Sequence, residues 1–223
     1  CHNAARYFLL NNRGAIAPGY LADFVIIDDF EHFNIEKVYK RGVLMVDHGV
    51  VADFPVPEID PYLVNRAHDT FHVSTLTPDD FRDTRQRGVL GMVPGEIITT
   101  DNGYADHVDL QKDILKIAVV ERHKNTGHIG LGYIQGYGLK SGAVATSISH
   151  DSHNIIVVGT NAADMAFAAN YIVENHGGIV VVDGGKVLAS VVLEIAGIMS
   201  DEPLTKMNEE LEAAKDAAFC LGV

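Results

Sequence analysis

Five consecutive residues, His150, Asp151, Ser152, His153 and Asn154, concentrate the chemistry of this chain. Imidazole titrates near neutral pH, so His150 and His153 could shuttle a proton. With Asp151 and Asn154 they could also hydrogen-bond the polar edge of a ligand. The block falls between two apolar stretches of strand length, 143–148 and 155–158. Polar residues gathered at a strand end are where α/β folds place their sites. The plainer reading is a tight turn in which Asp and Asn side chains bond the local backbone. A standalone metal site of His150, Asp151 and His153 is a weaker reading, because sequence neighbours rarely converge on one ion without a further ligand. A Ser-His-Asp triad of consecutive residues is weaker still, since triad members must converge in space.

A second group, Glu121, Arg122 and His123, ends an apolar run. Either Glu121 and His123 face the same pocket as His150, or the group is a surface charge pair beside an exposed histidine. Gly127, Gly130, Gly132, Gly136 and Gly138 resemble a phosphate loop at first sight. Gln135 stands where the dinucleotide fingerprint needs its third glycine, and no P-loop Lys-Ser/Thr ending follows. Bulges and close strand packing account for these glycines better. Gly159-Thr160-Asn161 reads as a helix cap, with an anion or a polar ligand edge as the alternative occupant. The remaining histidines, His107 among them, show no ligand spacing and read as surface or loop residues.

The elements that must hold these groups follow from pattern. Residues 114–121, 138–149 and 155–158 read as strands, and 179–182 with 187–193 as a hairpin across Asp183-Gly184-Gly185. Residues 161–175 form the clearest helix, capped by Asn161 and closed by His176-Gly177-Gly178. A last helix starts near Ser200–Pro203, with Leu204, Met207, Leu211, Ala214 and Ala218 as its apolar stripe. Thr77-Pro78-Asp79-Asp80 is a helix-start signal. Earlier, 22–28, 35–39 and 43–46 read as short strands, with Arg41-Gly42 as a turn. Pro55, Pro57 and Pro61 mark an extended linker over 56–75.

The chain has 223 residues, 47% of them apolar and 21% charged, which suits one large domain or two smaller ones with a real core. A net charge of −13 offers no general attraction for phosphate backbones or anionic lipid. Nucleic acid and membrane are therefore not expected partners. Two cysteines, Cys1 and Cys220, make neither a disulfide framework nor a zinc pattern, and fit a reducing cytoplasm. The opening at Cys1, inside a helical pattern, reads as a cut through a longer protein.

Residues 14–28, with Pro18-Gly19 and Ala22-Asp23 leading into a buried strand, are similar to a signature of amidohydrolase-superfamily enzymes. Further motifs follow in the order seen in the C-terminal domain of bacterial adenine deaminases. They are Glu121-Arg122-His123, Gly136–Ala143, Ser149–Asn154, Gly159-Thr160-Asn161 and Ala196–Ser200. The resemblance implies a mixed α/β fold. The last barrel-associated helix lies over 1–12 and a β-sandwich remnant over 13–55. A linker covers 56–75, and a C-terminal α/β domain with a mixed sheet and flanking helices covers 76–223. The (β/α)8 barrel is missing from this chain.

The resemblance also implies function. The full enzyme would hydrolyse adenine to hypoxanthine and ammonia in cytoplasmic purine salvage, as a homo-oligomer, using dinuclear manganese or iron held in the missing barrel. No metal ligand, cofactor or certain catalytic residue is expected in this chain. His150, Asp151, His153, Asn154, Glu121 and His123 would line the active site from the side. Two alternatives stand: a non-catalytic binding or oligomerisation module, and a related amidohydrolase acting on another cyclic amidine or amide.

Overall fold

Short turns with left-handed residues shape the first part of the chain. In the computed structural model, which describes residues 1–223, this part is a compact unit, Cys1–Glu58. It opens with the short helix α1 (His2–Tyr7) and continues as an antiparallel meander. The strands are β1 (Phe24–Ile27), β2 (Ile35–Lys40), β3 (Val43–Asp47) and β4 (Val50–Val51), hydrogen-bonded in that order. Arg41 and Gly42 both have positive φ, the conformation a two-residue hairpin needs. Pairing of Phe24 with Tyr39 stacks their rings 4.7 Å apart. This unit has a single sheet layer of four strands.

The second unit, Ile59–Val223, is built on one eight-stranded sheet. Its strands are β5 (Arg87–Met92), β6 (Thr99–Ala105), β7 (Ile114–Val120), β8 (Ile129–Gln135), β9 (Ala143–Thr146), β10 (Ile155–Gly159), β11 (Gly178–Asp183) and β12 (Lys186–Val192). The order is β12-β11-β9-β10-β7-β8-β5-β6, antiparallel throughout except for the parallel pair of β5 with β8. Period-two alternation sorts the side chains. Ala118, Val120, Ala143, Ala145, Ile155, Val157, Val180 and Val182 face one side and pack under helix α3 (Ala162–Glu174), which contributes Met165, Ala169 and Ile172. Each large apolar side chain buried there stabilises by about 1.5–3 kcal/mol. The opposite side carries Leu115, Ile134 and Val158. Over the β11–β12 end of that side lies helix α4 (Leu204–Cys220), whose Met207, Leu211 and Ala214 meet Ile179, Ala189 and Val191.

Several expectations change. The stretch read as linker holds helix α2 (Pro61–His68), capped by Asp60, and residues 59–75 belong to the second unit. Asp60 accepts the Tyr62 N–H at 2.9 Å, and Phe71 and Val73 pack on the core. Strand 138–149 shortens to β9, and Pro78–Phe81 is a single 3-10 turn. Gly127, Gly136 and Gly138 have positive φ, and a Cβ at Gly138 would clash with the Gly222 carbonyl, while Gly130 and Gly132 lie within β8 with room for a Cβ, so close packing accounts for Gly138 alone. Leu204, assigned to the apolar stripe of α4, is 85% exposed because it stands at the helix start, ahead of the sheet contact. No helix is long and apolar enough to cross a membrane.

Candidate functional site

Residues 147–154 leave β9 and return as β10, crowning one end of that antiparallel pair. Because Ile155 pairs with Val120, residues 121–123 lie beside this crown. Arg122 fastens it. By alternation Arg122 continues the inward face of Ala118 and Val120, and it is 2% exposed. Its Nε donates to the carbonyl of His153. Its Nη1 donates to the Thr70 carbonyl at 2.9 Å and its Nη2 to the Ala196 carbonyl at 2.8 Å. Three carbonyl dipoles and the face of Phe71, rather than a carboxylate, balance the guanidinium charge. Burial lowers its pKa, yet arginine stays protonated at neutral pH.

Within the crown the side chains divide. His150 and Asp151 project outward, 84% and 88% exposed, with His150 Nδ1 2.5 Å from the Asp151 carboxylate. His153 folds inward. It has positive φ, and its N–H donates to the Ser149 carbonyl at 2.5 Å. Its Nδ1 is buried with no hydrogen-bond partner. The two imidazoles stand edge to face, 6.1 Å apart. Asn154 accepts the Arg122 N–H at 3.4 Å. Beneath, the Ser147 hydroxyl donates to the Gly197 carbonyl and accepts the Gly178 N–H at 2.8 Å, so the base of the crown is tied to two neighbouring loops.

Glu121 and His123 join this cluster in different ways. His123 Nε2 donates to the Ser152 carbonyl at 2.9 Å. Glu121 is consumed by its own loop. Its carboxylate accepts the Thr126 hydroxyl at 2.8 Å and the N–H groups of His123, Lys124 and Thr126. The Thr126 hydroxyl and these amides hold its pKa down at about 2. Such a carboxylate is a fixed anion at neutral pH and a poor proton carrier. In this structure Glu121 braces the 121–126 turn.

No three His, Cys, Asp or Glu side chains converge as a metal set. The residues present therefore do not fit a dinuclear metal centre. The tip of the crown, His150, Asp151 and Ser152, is exposed, whereas Ser147 is buried and His153 and Asn154 are half-buried. An apolar groove of about 360 Å³ lies on the open side of the sheet, between Ile117, Val144, Ile156 and the loop carrying Ile97 and Ile98. A cavity of about 320 Å³ lies at the opposite end of β7 and β10 from the crown, with His107 at its rim as the exposed surface residue the sequence implied. Arg122 was visible in its motif, but its burial was not anticipated. The signal was its place two residues beyond Val120 on the buried face.

Residues 95–223 match the family model described as the adenine deaminase C-terminal domain. The chain is 39% identical over 234 residues to an adenine deaminase of Dehalococcoides mccartyi, covering 99% of this chain and 40% of that protein. It is 43% identical to one of Nitratidesulfovibrio vulgaris, covering 93% and 37%, and 40% identical to one of Brucella melitensis, covering 99% and 38%. The chain thus spans about two fifths of the length of the curated relatives it matches.

Proposed function

Because the chain belongs to the adenine deaminase C-terminal domain family, we propose that it is the C-terminal part of an enzyme hydrolysing adenine to hypoxanthine and ammonia. The observation that carries this reading beyond the family match is the clamped crown: Arg122 holds the backbone of His153 while His150 and His153 stand together at one sheet end. In this reading a manganese or iron centre would lie outside this chain and would supply an activated water for the hydrolysis. The residues of the chain act on position and protons. His153 presents an imidazole nitrogen that nothing in the chain satisfies. Asn154 and His150 offer donors and acceptors to a purine edge or to the lip of the site. A cytoplasmic role in purine salvage, consistent with two exposed free cysteines, belongs to the same proposal.

The test is His153→Ala in the full-length enzyme. Turnover with adenine should fall about tenfold or more, as removal of a positioned proton-transfer group does, while metal content stays unchanged. Unaltered kinetics would remove His153 from the site.

A second reading has its own observation. The apolar groove leaves Ile97 and Ile98 exposed, 102% and 62%. Large exposed apolar patches mark association surfaces. In this reading the domain joins subunits of a homo-oligomer. Ile97→Asp with Ile98→Asp would then lower the oligomeric state in sedimentation, whereas the catalytic reading leaves it unchanged.

A further inference from the structure

A second polar site lies at the far end of β7 and β10 from the crown. Strand pairing sets Lys116 opposite Gly159 there, and the chain runs on through Thr160 and the cap residue Asn161 into α3. A cavity of about 320 Å³ opens between these residues and the segment 81–84. Lys116 is 9% exposed, and of its three N–H groups one is used, on the Asp83 carbonyl at 3.2 Å. Its ammonium stands 5.3 Å from the ring centre of Tyr133. Tyr133 also lines the cavity, is fully buried, and its hydroxyl has no hydrogen-bond partner. Buried hydroxyls are almost always paired, so an orphan beside a half-used ammonium points to an acceptor that the chain itself does not supply.

Helix α3 adds a third donor. Ala162, its first residue, lines the cavity, and helix geometry leaves that amide without an intrahelical acceptor at the positive end of thirteen aligned peptides. The nearby carboxylates are engaged elsewhere. Asp164 accepts the Gly184 and Gly185 N–H groups at 3.3 and 2.8 Å. Asp83 is paired with Arg85 and Arg87, and Asp106 with His107. Lys116 is left as a cation of the wall without a carboxylate of its own. Burial lowers its pKa, opposed by Asp83, and burial raises that of the Tyr133 phenol, which keeps the hydroxyl a donor at neutral pH. Phe81, Val108 and Met165 supply apolar wall between these polar groups, with Phe81 and Met165 fully buried.

We propose that this cavity binds a small organic anion, with its carboxylate or phosphate oxygens on Lys116 Nζ, the Tyr133 hydroxyl and the Ala162 amide, and its apolar body against Phe81 and Met165. The cavity, about 320 Å³, is wider than one oxyanion needs, and Phe81, Val108 and Met165 leave apolar wall for the body of the ligand. The site is separate from the crown and does not depend on the catalytic reading.

The experiment is an amide-resolved NMR titration of the 223-residue chain with benzoate and, separately, with inorganic phosphate. Saturable shifts are expected at Thr160, Asn161 and Ala162, with none at residues 149–154. Tighter binding of benzoate identifies an organic carboxylate as the ligand group, and tighter binding of phosphate a phosphate ester. Lys116→Met should weaken the better probe about tenfold, the worth of a charge-assisted hydrogen bond. Tyr133→Phe removes one oxygen from a fully buried ring and leaves the packing intact, so it tests the site even if Lys116→Met disturbs folding. It should weaken binding several-fold. No saturable shift with either probe up to about 20 mM, a range that would still reveal millimolar binding, overturns the proposal. So does an affinity that neither variant changes.

Discussion

The guanidinium carbon of Arg122 lies 4.2 Å from the ring centre of Phe71, and the same group donates to the carbonyls of His153, Thr70 and Ala196. One side chain thus joins the end of β7, the crown, the segment after α2 and the loop before α4. Arg122→Met keeps the stem but leaves three inward carbonyls unsatisfied. It should cost about 3 kcal/mol in denaturant unfolding. Arg122→Lys restores charge without the planar fork, and a single ammonium cannot reach three separated carbonyls. It should recover less than half of the loss. Full recovery by lysine would mean that charge, not geometry, is what the clamp supplies.

Asn170 brackets Leu76 from α3. Its side-chain oxygen accepts the Leu76 N–H at 2.9 Å, and its amide nitrogen donates to the Leu76 carbonyl at 2.8 Å. Leu76 is 8% exposed, so both backbone groups rely on this bracket. Asn170→Ala should lower stability by about 2 kcal/mol, two hydrogen bonds at about 1 kcal/mol each. Asn170→Asp, which replaces the donor by a second acceptor, should do no better. Equilibrium denaturation with an unchanged m-value checks both.

Glu121 predicts a pH dependence of known sign. The Thr126 hydroxyl and the turn amides hold its pKa at about 2, below the ordinary value of 4.5. A carboxylate depressed in the folded state contributes stability above its unfolded pKa, and that contribution fades as pH falls toward the folded value. Wild-type protein should therefore melt higher than Glu121→Gln at pH 7, and the gap should close between about pH 4.5 and pH 2. A gap that is constant with pH would mean that the carboxylate charge plays no part in the turn.

The reach of sequence reading here follows chain chemistry. Strands β7, β9 and β10, the β11–β12 hairpin and α3 were legible because each combines an unbroken apolar period with a distinct end signal: Asn161 as cap, or Gly184-Gly185 as turn. Strands β5, β6 and β8 were not. Gly88, Gly91, Gly130 and Gly132 interrupt two of them, and β6 is a polar edge strand, Thr99–Ala105, whose backbone pairs with β5 alone. Helix α2 was hidden among prolines, one of which opens it. The position of the crown was legible. Its division into an outward pair, His150 and Asp151, and an inward His153 was not, because it depends on Arg122 reaching across from β7. The cavity at Lys116 and Tyr133 arises only from strand pairing between distant segments, which no local pattern encodes.

Gly138 separates two causes of glycine preference. Its φ is +91°, and a Cβ there would meet the Gly222 carbonyl oxygen at 2.3 Å, a backbone atom with little room to give. Around it the Gly138 N–H donates to the Asp113 carboxylate, and the Lys140 N–H donates to the Leu221 carbonyl at 2.7 Å. Leu221 packs in the cluster with Leu115 and Leu139, so the end of α4 is docked at this point. Gly138→Ala should cost more than about 2 kcal/mol, combining left-handed strain with a clash. Amide exchange should accelerate first at residues 218–223. Gly184, also left-handed at φ +58°, has open space where its Cβ would be. Gly184→Ala should cost only about 1 kcal/mol, from conformation alone. Equal losses at the two positions would show that Gly222 yields, and that the docked end of α4 is not held by contact with Gly138.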